Sequence, residues 1–156
     1  MERNRKVRLR AFQRKLASIN VFDPACGSGN FLTESYLSLR KLENRVLEDL
    51  QGDQMSIGFD GESSPIQVSI NQFFGIEIND FAVSVAKTAL WIAEEQMIGA
   101  TPEMLLQHFA FLPLKSNDNI HEGNALRMDW KEELPAEKCS YIIGNPPFLG
   151  ARSLTL

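Results

Sequence analysis

Residues 19–32, INVFDPACGSGNFL, run from apolar residues to an acid, a proline and a glycine pair, then into a new apolar pattern. A chain that does this leaves a buried strand, turns sharply and enters a helix. The continuation, NFLTESYLSLRKLENRVLEDL, spaces Leu32, Tyr36, Leu39, Leu42, Val46 and Leu50 for one helical face. A short buried strand feeding a long amphipathic helix is the first half of a parallel crossover, which commits the chain to an α/β sheet.

The pattern then repeats. INQFFGIEIN predicts a second strand, and DFAVSVAKTALWIAEEQM a helix capped by Asn79 or Asp80. TPEMLLQHFAF has the Thr, Pro, Glu order of a helix start. NIHEGNAL and CSYIIGNPP predict a third and a fourth strand, and QGDQMSIGFDGESSPIQ (51–67) a loop excursion. Upstream, residues 1–18 form a basic helical segment, with Val7, Leu9, Phe12 and Leu16 as a sparse apolar stripe. The alternation of strands and helices points to an open α/β sheet with its ligands at the carboxyl ends of the strands.

Bulk properties exclude several classes. The 156 residues suit one domain with one core. No apolar run approaches the roughly 20 residues of a membrane span, and the first residues are too charged for a signal peptide. Cys26 and Cys139 lie too far apart for a disulfide framework and, with His108 and His121, match no zinc spacing. A reducing, cytoplasmic setting is expected. The net charge of −4 lacks the basic excess of a free-standing DNA binder. The exception is Arg3, Arg5, Lys6, Arg8, Arg10, Arg14 and Lys15, which read either as a solvated helix face or as a nucleic-acid-facing patch.

Candidate site residues stand at successive strand ends. Gly27 and Gly29 in DPACGSGNF let the backbone approach a ligand, and the helix start offers free N–H groups. The third glycine of a dinucleotide fingerprint is replaced by Leu32, and no Lys-Ser or Lys-Thr of a phosphate loop follows. Asp23 repels an anion at this turn and suits an ammonium or sulfonium centre. Glu77, ending the second strand, is placed to accept both hydroxyls of a ribose. Asn124, after the third, can hydrogen-bond an adenine through its side-chain oxygen, leaving its NH2 for a ring nitrogen, or can simply serve a turn. A cation, a ribose and an adenine together describe S-adenosylmethionine.

The segments DPACGSGNFL, GIEIN, EGNAL and GNPPF, in this order, resemble the amino-methylating, adenine-N6 DNA methyltransferases. The wording NFLTESYLSLRKLEN and GNPPFLGARSL is most similar to the methyltransferase region of the single-chain type IIL, MmeI-like restriction–modification enzymes. The resemblance implies the first four strands, in the order 3-2-1-4, of a seven-stranded Rossmann-like sheet. Residues 19–156 would form an incomplete S-adenosylmethionine-binding and catalytic domain.

By the same resemblance, the Asn145 side-chain oxygen and the Pro146 carbonyl accept the two N–H bonds of the target amine. Pro147 helps fix that turn, and Phe148 stacks on an adenine flipped out of double-stranded DNA. Ala25 and Cys26 line the methionine end of the cofactor, and Ile78 packs on its adenine. Many relatives carry Asp at the position of Asn124. The target-recognition domain and any nuclease are expected to be absent, the isolated piece inactive, and strand four, about residues 140–143, an exposed edge that invites self-association. Methylation of a protein glutamine amide or an RNA guanine amine, and a non-catalytic cofactor-binding fragment, stand as the alternatives.

Overall fold

The computed structural model describes residues 2–51, 65–101 and 117–145. The expected TPEMLLQHFAF helix, residues 52–64 of the 51–67 excursion, and Pro146, Pro147 and Phe148 lie outside those residues.

Four parallel strands make one sheet in the order β3-β2-β1-β4, as the sequence predicts. They are β1 (Val21–Asp23), β2 (Phe73–Glu77), β3 (Ile120–Glu122) and β4 (Tyr141–Ile142). Helix α1 (Glu2–Ala17) precedes β1, α2 (Asn30–Gln51) and α3 (Asp80–Gly99) follow β1 and β2, and α4 (Trp130–Glu133) lies between β3 and β4. Register pairs Asp23 with Gly75 and Glu77 with Glu122, and aligns Phe22 with Ile142. The ends of all four strands therefore share one edge of the sheet.

Strand alternation separates two apolar faces. Val21, Phe73 and Ile120 pack with Leu32 and Tyr36 of α2 and with Val83, Ala86, Leu90 and Ala93 of α3. Tyr36 meets Phe73 edge-on at 5.7 Å. Fully burying a side chain of this size contributes about 1.5–3 kcal/mol, so these layers fix α2 and α3 to the sheet. On the other face Phe22 and Ile76 pack with Leu134, and Phe22 meets Trp130 edge-on at 5.4 Å. That second face is thinly covered: Tyr141 and Ile142 remain exposed.

Two of the expected helical faces turn out differently. Leu42 is exposed, whereas Arg40, Glu43 and Asn44 are buried along with Leu32, Tyr36, Val46, Leu47 and Leu50. The buried line follows steps of three and four residues, and it takes in Arg40 and Glu43 because they satisfy each other at 2.5 Å with no exposure. Glu43 also accepts from the Gln13 side chain and from the Gln67 and Val68 amides, and Arg40 donates to Thr101. In α1, Val7 and Phe12 are exposed, and Gln13 and Leu16 make the buried contact. The network around Glu43 accounts for the choice of Gln13, because it draws α1 onto α2 through a polar side chain.

Candidate functional site

The turn after β1 is held by its own backbone. Gly27 and Gly29 have φ of 54° and 79°, the left-handed region that suits glycine. At Gly29 a side chain is excluded twice, since a Cβ there would stand 2.9 Å from that of Ala86 on α3. The Cys26 amide donates to the Ile76 carbonyl at 3.0 Å, and the Gly29 amide to the Cys26 carbonyl at 2.8 Å. The turn is thus stitched to β2 before α2 begins.

Glu77 completes that stitching. Its Oε2 accepts from the Gly27 amide at 2.9 Å, and its Oε1 from the Asn79 amide at 3.1 Å. Each carboxylate oxygen retains acceptor capacity, so the pair is oriented and still able to receive two hydroxyl donors. Asn79 in turn caps α3, its side chain accepting from the Ala82 amide, which settles the choice between Asn79 and Asp80.

Asp23 is buried. Its Oδ1 accepts from the Ala25 amide at 3.0 Å, while its Oδ2 is buried without a hydrogen-bond partner. Burial raises the Asp23 pKa above 3.8; the Ala25 hydrogen bond opposes that rise, and the Glu77 charge adds to it. An orphaned carboxylate oxygen of this kind calls for a donor, best a cationic one. Cys26 lies in the same negative surroundings. Burial, then Asp23 and Glu77, push its thiol up to about 12, so it is an inert packing group and not a nucleophile. Gly75 leaves room for it, since a Cβ there would meet the Cys26 sulfur at 2.8 Å.

The remaining candidates adjoin this centre. The Gly123 amide donates to the Glu77 carbonyl at 2.8 Å, bringing Asn124 beside the end of β2. The Asn124 Oδ1 accepts from the Leu126 amide at 3.0 Å, so the turn role is present. Ile78 is 67 % exposed, an apolar side chain left at the rim of the strand ends. From the other side, the Ile143 amide donates to the Phe22 carbonyl at 2.9 Å, and Gly144 then lies directly against the Asp23 carboxylate. Asn145 follows, exposed at the same edge. Asp23, Ala25, Cys26, Gly27, Gly29 and Glu77 are brought together, with Ile78, Asn124 and Asn145 around them.

Sequence reasoning missed Gly144, Gly75 and Asn79. A glycine in a strand commonly marks close approach of another group, which is the signal that Gly75 and Gly144 carried.

Comparison with known proteins gives a consistent result. The family described as "MmeI, DNA-methyltransferase domain" matches residues 1–155. The chain is similar to "DNA methyltransferase A" of Bacillus subtilis, 40 % identical over 146 residues, covering 88 % of this chain and 16 % of that protein. It is also similar to the type IIL restriction–modification enzyme MmeI, solved in complex with DNA: 44 % identity, TM-score 0.81, covering 93 % of this chain and 19 % of that one. The chain thus spans less than a fifth of the length of either protein.

Proposed function

The chain belongs to the MmeI DNA-methyltransferase domain family, and from this and the strand-end site we propose that it carries the cofactor-binding and catalytic centre of a DNA methyltransferase of a restriction–modification system. The methyl donor is S-adenosylmethionine and the acceptor the N6 amine of adenine in DNA.

What carries the donor assignment is the buried Asp23 carboxylate with its unpartnered Oδ2, next to a Glu77 whose two oxygens are oriented by Gly27 and Asn79. Asp23 suits the positive end of the cofactor and Glu77 its ribose hydroxyls. The amino end of α2, whose first turn holds no acid, suits the cofactor carboxylate. Ile78 covers a face of the adenine. When bound, the cofactor supplies a methyl group made electrophilic by the adjoining sulfonium.

The protein's share of the chemistry is positioning. An adenine amine is a poor nucleophile because its lone pair is delocalised into the ring. The Asn145 side-chain oxygen and the Pro146 carbonyl accept its two N–H bonds, which frees the lone pair for in-line attack without a covalent enzyme intermediate. Pro147 holds the turn rigid and Phe148 stacks on the flipped base.

Two measurements test this. Calorimetric titration with S-adenosylhomocysteine should give saturable binding, weakened by about 1–3 kcal/mol in Glu77→Ala, the scale of a lost buried hydrogen bond. Labelled methyl transfer by the enzyme containing this domain should yield N6-methyladenine from unmethylated duplex DNA. Label found instead in RNA guanine or protein glutamine would sink the acceptor assignment and leave the donor assignment standing.

A further inference from the structure

We infer that Asn124 reads the cofactor purine as a hydrogen-bond donor, to a ring nitrogen, and not as an acceptor of the 6-amino group. The inference rests on the cofactor reading above and deepens it.

The argument begins with the one polar contact of the side chain. The atom facing the Leu126 amide at 3.0 Å must be the acceptor, because an N–H cannot bond to an NH2 group; the oxygen of Asn124 is therefore identified by chemistry. An amide carries its oxygen and nitrogen on opposite arms of one plane. With the oxygen anchored in the turn, the arm left over for a ligand is Nδ2, which makes no hydrogen bond among the described residues. The backbone holds the residue just as firmly. Its carbonyl accepts from the Arg127 amide at 2.8 Å and the Met128 amide at 3.1 Å, and Gly123 before it is tied to the Glu77 carbonyl at 2.8 Å. Reversing the amide would set an NH2 against the Leu126 N–H and cost the turn its hydrogen bond.

Asn124 is half-buried beside Glu77 and the exposed Ile78. A purine laid on Ile78 with its ribose at Glu77 presents ring nitrogens, which accept, and one exocyclic amine, which donates. A fixed NH2 pairs with the first and opposes the second. An Asp at this position would do the reverse: one oxygen would keep the Leu126 bond, and the other would accept from the 6-amine and repel ring lone pairs.

The test uses two ligands, S-adenosylhomocysteine and its analogue with an unsubstituted purine, which lacks the 6-amine and keeps every ring acceptor. Both are titrated into the intact chain and into Asn124→Asp, with circular dichroism confirming that each is folded. The native chain should bind the two within about threefold, and Asn124→Asp should favour the adenosyl ligand by about tenfold or more, the scale of one hydrogen bond gained or lost. A preference that does not rise on substitution overturns the inference while leaving the cofactor reading intact. If the folded native chain binds neither ligand, the cofactor reading itself fails and takes the inference with it.

Discussion

Gly144 lies so close to Asp23 that a Cβ built on it would stand 2.6 Å from Oδ1 and 3.3 Å from Cγ. The oxygen in question already accepts from the Ala25 amide. The residue before Asn145 and the carboxylate at the heart of the proposed cofactor site therefore share one boundary, and neither can move alone.

Gly144→Ala follows directly. The methyl group must displace either the carboxylate, which breaks the Ala25 hydrogen bond, or the end of β4, which carries Asn145. Both weaken the site. Loss of at least about tenfold in S-adenosylhomocysteine affinity is expected, the scale of one buried hydrogen bond, with a modest fall in thermal stability. Unchanged affinity would mean that the strand end yields freely and the boundary is not rigid.

Asp23 predicts a pH dependence of stability. Its folded pKa is raised, chiefly by burial, so the folded state holds this proton more tightly than the unfolded chain does. The associated stability is fully present below the ordinary value of 3.8 and is lost as pH rises through the raised folded value. Asp23→Asn keeps an oxygen for the Ala25 amide and removes the buried charge. It should be more stable than the native chain above that window, equal to it or weaker below, and poorer at binding a cationic cofactor. Urea titrations across the acidic range would read the crossing; parallel profiles for the two proteins would refute it.

The Arg40–Glu43 pair predicts the largest stability effect. Both side chains are fully buried, and Glu43 alone serves Gln13, Gln67 and Val68. Removing one member strands the other's charge, a cost of about 3–5 kcal/mol. Arg40→Leu should therefore be severely destabilised, and a double replacement, Arg40→Leu with Glu43→Met, should recover part of that loss. Denaturant unfolding of the three proteins measures it, and a double variant worse than the sum of the singles would count against the pairing argument.

How much of this was legible in the sequence depends on what kind of signal each residue carries. Asp23, Gly27, Gly29 and Glu77 interrupt apolar strands at fixed points, so both the sheet and the centre of the site could be read in advance. Arg40 and Glu43 could not, because apolar periodicity scores a buried ion pair as surface, which is why Leu42 was assigned to the wrong side. Helix α4, at four residues, is too short to leave a periodic trace, and its Asp129 cap is visible only once the fold places it. Gly144 was passed over since its partner, Asp23, lies 121 positions earlier (144 − 23) and meets it only across the β1–β4 pairing.

The last prediction concerns β4. Its inner side bonds β1, where the Ile143 amide reaches the Phe22 carbonyl, and among the described residues no strand pairs its outer side. Tyr141 and Ile142 are 59 % and 60 % exposed, close to the exposed ring of Trp130. An apolar strand edge with open N–H and C=O groups recruits another strand. We therefore expect this chain to self-associate with rising concentration, and Ile142→Lys to suppress that by placing a charge on the edge. Sedimentation velocity across a hundredfold concentration range (on the order of 1–100 µM, where edge-driven association of partly exposed folds sets in) distinguishes the outcomes. A native chain that stays monomeric throughout would show that the edge is protected. Association that survives Ile142→Lys would place the contact elsewhere, with the basic face of α1 the next surface to vary.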